Sequence, residues 1–200
     1  MKTVVQVVLL AAICVVAYFV YESVQKPIRF NNEKDRRYDA TVQRLKDIRT
    51  AQVAYRSEYK KYTGSFDTLV EFLKNGSFKV VKQIGDEDDS VTVASGKIIR
   101  DTILVSVLDS LFKKGYQVDS LRFVPFTQGD IQFELGTANI VAGNVTVNVF
   151  EAKIPFDILL KGLDPQLLVN YNADREGKTG YAGLKVGSLT ETTNNVGNWE

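Results

Sequence analysis

LKDIRTAQVAYRSEYKKYTGSFDTLVEFL, from Leu45 to Leu73, holds the change of texture on which the fold turns. Up to Tyr59 it continues a stripe that starts upstream: Tyr38, Val42, Leu45, Ile48, Gln52, Tyr55 and Tyr59 recur at gaps of three and four. That spacing gathers them on one face of an α-helix running from Glu33 to Lys60. Arg36, Arg37, Arg44, Lys46, Asp47 and Arg56 take most of the rest of the surface. Tyr62-Thr63-Gly64 then breaks the pattern with a turn. Ser65 or Asp67 offers the side-chain oxygen that caps a new helix, which is expected to bury Phe66, Leu69, Val70 and Leu73. The stretch reads as a hinge between a helical stalk and a head.

Upstream lies VVQVVLLAAICVVAYFVY, Val4 to Tyr21, with Gln6 its only strongly polar member. As a helix, eighteen residues reach about 27 Å, enough for the hydrocarbon core of a bilayer. Tyr18 and Tyr21 fall where aromatic rings favour the interface. The run ends in FVYESVQ rather than the small-residue site of a cleaved signal, so an uncleaved anchor that meets membrane lipid through residues 4–21 is expected. Pro27 and Asn31-Asn32 are expected to interrupt the helix as it leaves the membrane.

Composition removes several chemistries. Lysine plus arginine number 25 against 24 aspartate plus glutamate, so no basic field points to nucleic acid. With no histidine, there is no His-based triad and no His-ligated metal. The single Cys14 lies inside the apolar run, which leaves the body without a thiol or a disulfide.

Two signals on orientation oppose one another. Lys26, Arg29, Lys34, Arg36 and Arg37 follow the span while only Lys2 precedes it, a bias that keeps a body in the cytoplasm. Against this, Asp-(Ser/Thr)-aliphatic occurs five times, at Asp67, Asp89, Asp101, Asp109 and Asp119. The tripeptide resembles the general O-glycosylation sequon of some bacterial groups, which acts on exported proteins. The resemblance makes Thr68, Ser90, Thr102, Ser110 and Ser120 candidate acceptors and tips the body towards the periplasm. The plainer account of the same tripeptides is helix capping and turn formation by Asp, Ser and Thr oxygens.

The order of apolar span, proline, amphipathic helix and then Ala51 to Tyr55, Tyr59, Tyr62-Thr63-Gly64 and Leu69 to Leu73 resembles type IV pilins and the pseudopilins of type II secretion. The resemblance covers roughly residues 1 to 75. It implies a long helix packed on an antiparallel sheet and a place in a bacterial envelope assembly. Val7 to Ile13 hold only apolar residues where a pilin carries a glutamate, and no Gly-Phe processing site stands before the span. The implied role is therefore a membrane-bound monomer or minor component, not a processed polymer subunit.

After Asn75-Gly76, short β-branched runs alternate with turn signals. Strands are expected at Phe78–Ile84, at Ser90–Ala94 and Lys97–Val107 as a hairpin across Ser95-Gly96, and at Leu121–Phe126, Ile131–Leu135 and Asn139–Val141. Further strands are expected at Val145–Ile154 after a Gly143-Asn144 turn, at Leu167–Tyr171, and at the sheet edge over Leu184–Leu189. Leu108–Lys114, capped by Asp109 or Ser110, and Phe156–Leu160 read as short helices, and the chain from Asn172 onward as loop.

Asp86, Asp88 and Ser90 imitate the front of a calcium loop, but Val91 stands where the loop needs glycine and Lys97 where it needs glutamate. A solvated turn with no metal is expected. Glu134, Glu151 and Asp157 are the acids that would have to converge for glycoside hydrolysis. Phe123, Phe126 and Phe133 are the aromatics that would line a pocket in a glycan- or ligand-binding module. The tail TETTNNVGNWE either folds back to shelter Trp199 or offers it to a partner.

The whole reads as an α+β, pilin-like, non-enzymatic protein without a cofactor: residues 1–25 an anchor, 26–74 a stalk helix plus a short helix, and 75–200 a β-rich domain with a polar tail. The stripe packs on the chain's own sheet. Tyr38, Val42, Leu45 and Trp199 are also the expected contacts for other envelope proteins or further copies of the chain.

Overall fold

A computed structural model describes residues 2–84, 99–127, 129 and 131–200, with side chains described outside 80–102. The first element, α1, is one helix from Lys2 to Tyr59, 58 residues and about 87 Å long. Pro27 lies inside it, contrary to the expected interruption at Pro27 and Asn31-Asn32. Proline removes the bond its N–H would have made to the carbonyl of Ser23 and crowds that carbonyl with its ring. Phe30, three residues on, is already buried and packs edge-on against Tyr171, so tertiary contact holds the helix on the far side. Asn31 and Asn32 simply face solvent from it.

The 18-residue window with a mean hydropathy of 2.6 lies in the N-terminal part of α1, none of it buried, and α1 is long and apolar enough to cross a membrane. Beyond Phe30 the same helix buries Thr41, Val42, Leu45, Ile48, Ala51, Gln52, Ala54 and Tyr55. The expected stripe is therefore the core face, except that Tyr59 remains half exposed while its ring still reaches Tyr55 and Phe72.

Two layers cover that face. The first begins with α2, Phe66–Asn75, whose cap is Ser65: its hydroxyl accepts from the Thr68 N–H. α2 buries Phe66, Leu69, Val70, Phe72 and Leu73. It leads into β1 (Ser77–Ile84), antiparallel to β2 (Ile99–Ser106), in register from Ser77↔Ser106 to Ile84↔Ile99. The expected strand at Ser90–Ala94, its hairpin across Ser95-Gly96 and the acidic loop lie outside the described residues. A short helix α3, Val107–Leu111, follows, capped by the Ser106 hydroxyl instead of Asp109 or Ser110. Leu121 to Phe126 is not a strand. Val118–Arg122 is a 3-10 turn that buries Val118 and Leu121, and only Phe123 makes a bridge, to Gln132.

The second layer is a three-stranded antiparallel sheet in the order β3 (Glu134–Ala142), β4 (Val145–Pro155), β5 (Gly183–Gly187). β3 and β4 meet in register across the Gly143-Asn144 turn, where Gly143 takes a φ of 63°. Along β4, Phe150, Ala152 and Ile154 point into the core and alternate with Glu151 and Lys153, the period-two pattern of a half-buried strand. Helix α4 is Phe156–Leu159.

The largest departure is α5, Pro165–Thr179, a helix where a strand and a loop were expected. The Asp164 carboxylate accepts from the N–H groups of Gln166 and Leu167, Pro165 occupies the first turn, and Gly180 closes the end at φ 68°. A short run such as LLVNY, apolar except for Asn170, does not distinguish helix from strand, so these flanking signals carried the information.

Gly187 permits the end of β5. Its φ is 76°, and a Cβ there would collide with the carbonyl oxygen of Phe150. Gly187→Ala is expected to cost at least about 2 kcal/mol, from left-handed strain plus displacement of β4. A shift of the urea midpoint at unchanged slope would check it; an unchanged midpoint would refute the reasoning.

Candidate functional site

The seam between α1 and the rest of the chain determines what can face a partner. Leu45 is fully buried and Val42 nearly so, inside the same core as Leu69, Phe150 and Leu184. Tyr38 is half-buried, stacked on Phe156 with a centroid distance of 6.4 Å, and the Arg175 guanidinium stands 6.0 Å from its ring. The structure therefore gives Tyr38, Val42 and Leu45 to the protein's own head. Arg37 joins them: Glu33 accepts from its Nε at 2.8 Å, and its Nη1 donates to the carbonyls of Leu159 and Lys161, both at 3.1 Å. An arginine that counts as a topogenic charge in the sequence thus ties stalk to head.

At the other end, Gln52 makes a clamp that sequence reading missed. It is fully buried; its amide donates to the Thr63 carbonyl at 2.6 Å and accepts from the Thr63 N–H at 3.1 Å. Both polar groups of the hinge residue are thereby satisfied without water. Its position in an apolar stripe was the only signal, a buried polar group needing a buried partner.

The C-terminal tail folds back along the outer edge of β5. Val186 bridges Gly197, the Lys185 N–H donates to the Asn198 side chain, and the Asn198 amide donates to the Gly183 carbonyl. Trp199 is half-buried against the core, and Glu200 holds Arg49 at 2.6 Å. The tail covers the edge that a two-sided strand would otherwise offer to another chain. Beneath it lies a polar cleft of about 310 Å³ lined by Arg56, Tyr62, Asn148, Ser188, Glu191 and Asn195 among others. Its groups satisfy one another: Arg56 and Asn195 both donate to the Tyr62 hydroxyl, and Asn148 accepts from the Tyr62 N–H.

The three aromatics do not converge, and of the three acids only Glu134 and Glu151 come together. Phe133 is in the core, whereas Phe126, with a φ of 65°, is 44% exposed under the Arg36 guanidinium. Glu134 and Glu151 both reach Lys153, at 3.7 and 3.3 Å, while Asp157 accepts from Asn172 elsewhere. These two glutamates face Tyr181. Burial, and behind it the Glu134 and Glu151 charges, push the Tyr181 phenol up from 10 to about 12. A phenol held protonated in the fold contributes stability below pH 10 that is lost as pH rises towards about 12. Tyr181→Phe should therefore lose less stability than the parent protein over that interval, as measured by urea unfolding at both ends of it. An equal loss would remove Tyr181 as a source.

Of the candidate glycan acceptors, Thr68 in α2 and Ser110 in α3 are exposed, and Ser110 donates to the Ser106 carbonyl. Ser120 is engaged twice, donating to the Gln117 carbonyl and accepting from Arg44, both at 2.7 Å. Thr102 is paired with Val81 in the β1–β2 ladder, and Ser90 lies outside the described residues. The aliphatic third residues Leu69 and Leu121 are fully buried, which gives these tripeptides a packing role of their own. Among the described residues, no group of three acidic, histidine or cysteine side chains is placed to hold a metal ion. In comparisons with known proteins, no family model matches the chain, and no curated protein or solved structure does so either.

Proposed function

We propose that the protein is a non-enzymatic, single-pass protein of a bacterial inner membrane. Its stalk helix mounts a pilin-like α+β head in the periplasm, where the head joins a cell-envelope, secretion or pilus-like assembly. The observation that carries this reading is the change of environment along one unbroken helix. Its N-terminal part is apolar and uncovered, and from Phe30 onward it is the spine of a packed head. Such a helix transmits position rigidly from bilayer to head, with no loop between them to absorb it. Orientation rests on the repeated Asp-(Ser/Thr)-aliphatic tripeptide; among the acceptors whose side chains are described, Thr68 and Ser110 are the most open to an enzyme.

Protease applied to spheroplasts tests the reading. The head should be digested from outside while the span stays with the membrane. A head that resists until the membrane is opened would overturn the periplasmic orientation and the envelope role with it.

A further inference from the structure

α5 runs beside α1 with its N-terminus towards the apolar segment. Tyr171 meets Phe30 and lies under Lys34, Arg175 meets Tyr38, and Leu167 reaches the level of Phe19 to Pro27. Between the two helices lies a groove of about 400 Å³, lined by Phe19, Glu22, Ser23, Lys26, Pro27, Asp164, Gln166 and Leu167. If Tyr21 marks the end of the span, Pro27 stands about 9 Å above that boundary and Phe19 about 3 Å below it. The headgroup layer on each side of a bilayer is about 5 to 8 Å deep, so the groove straddles the acyl–headgroup junction.

The lining matches that position. Phe19 belongs to the uncovered apolar surface, and Pro27 and Leu167 continue it upward. Both signs of charge stand on the rim. Lys26 holds Glu22 only at 3.8 Å and is more than half exposed. Both capping bonds of Asp164 go to Oδ1, and among the described residues Oδ2 has no donor. We infer that this groove holds a phospholipid of the anchoring bilayer, one with a zwitterionic aminophospholipid headgroup. Its upper acyl segment lies on Phe19, its phosphate beside Lys26, and its ammonium beside Asp164 and Glu22, with Pro27 and Leu167 flanking the headgroup. A purely anionic headgroup would set its charge against two carboxylates. This inference rests on the membrane-anchor reading.

The test uses the full chain with Cys14→Ala, one bimane label introduced at a time, in nanodiscs carrying doxyl-quencher lipids. Labels stand at Leu10 in the span, at Gln166 on the groove and at Lys178 near the far end of α5. Quenching at Leu10 and at Gln166, with little at Lys178, is expected. With the quencher carried on phosphatidylethanolamine, quenching at Gln166 should exceed that from phosphatidylglycerol by roughly two- to fivefold, the range of a solvent-accessible ion pair. Asp164→Asn, which keeps the helix cap, should remove that preference. Quenching at Leu10 with Gln166 no more affected than Lys178 overturns the groove occupant and leaves the anchor standing. Equal quenching by the two lipids overturns the headgroup. No quenching at Leu10 overturns the anchor itself.

Discussion

Arginine at both Leu10 and Ile13 should move the protein out of the membrane fraction. Each arginine near the centre of a span costs about 3 kcal/mol on the insertion scale, so the pair lowers insertion by roughly four orders of magnitude. Both side chains are more than 60% exposed in the protein, and the first buried residue of α1 is Phe30. The head should therefore keep its own melting transition in the variant. That separation makes the experiment decisive. Retention in the pellet after alkaline carbonate extraction would mean that something other than the apolar run holds the protein to membranes. Release together with a lost melting transition would mean that the run has a packing role.

The second large effect is expected at Gln52. Gln52→Ala leaves the N–H and carbonyl of Thr63 without a partner in a fully buried site and opens a cavity beside them. Each buried polar group left unsatisfied costs about 1 to 3 kcal/mol, so a loss of about 3 kcal/mol is expected. For a chain of this size that lowers the melting temperature by roughly 10 °C. Gln52→Glu sharpens the test. A protonated carboxylic acid donates to the Thr63 carbonyl and accepts from its N–H, whereas a carboxylate cannot donate. Burial raises the pKa of such a glutamate in the folded state, so stability is present below its unfolded value of about 4.3 and lost as pH rises through the folded one. Gln52→Glu should thus approach the parent at about pH 4 and fall well below it at about pH 7. Equal destabilisation at both would mean that the clamp is not what Gln52 supplies.

The two variants act on opposite ends of one helix and illustrate what could be read in advance. The apolar run and the stripe from Tyr38 to Tyr55 were legible because helix period and residue type are local properties. So was a helix start at Ser65 or Asp67, of which the structure uses Ser65. Pro27 was misread because one lost hydrogen bond breaks a helix only when nothing else holds it, and here Phe30 packs on Tyr171 from far along the chain. α5 was misread although its start and stop signals, Asp164-Pro165 and Gly180, were in plain view. The short run between them suits either structure, so only those end signals specify the helix.

By itself, then, the amino-acid order determined an apolar membrane-length segment, an amphipathic helix after it, the hinge at Tyr62-Thr63-Gly64 and the strands around Gly143-Asn144. Each follows from periodicity, capping or turn chemistry within a few residues. Only the tertiary structure decided that the stripe is covered by the protein's own head and that β2 pairs with β1. It also decided that Gln52 clamps Thr63, that the tail closes the edge of β5, and that α5 rises beside α1 from the foot of the head. Those outcomes depend on contacts such as Arg37 to Leu159, 122 residues apart, and Arg49 to Glu200, 151 apart. No local propensity specifies such contacts, because which partner buries a face is settled by shape and burial across the whole chain.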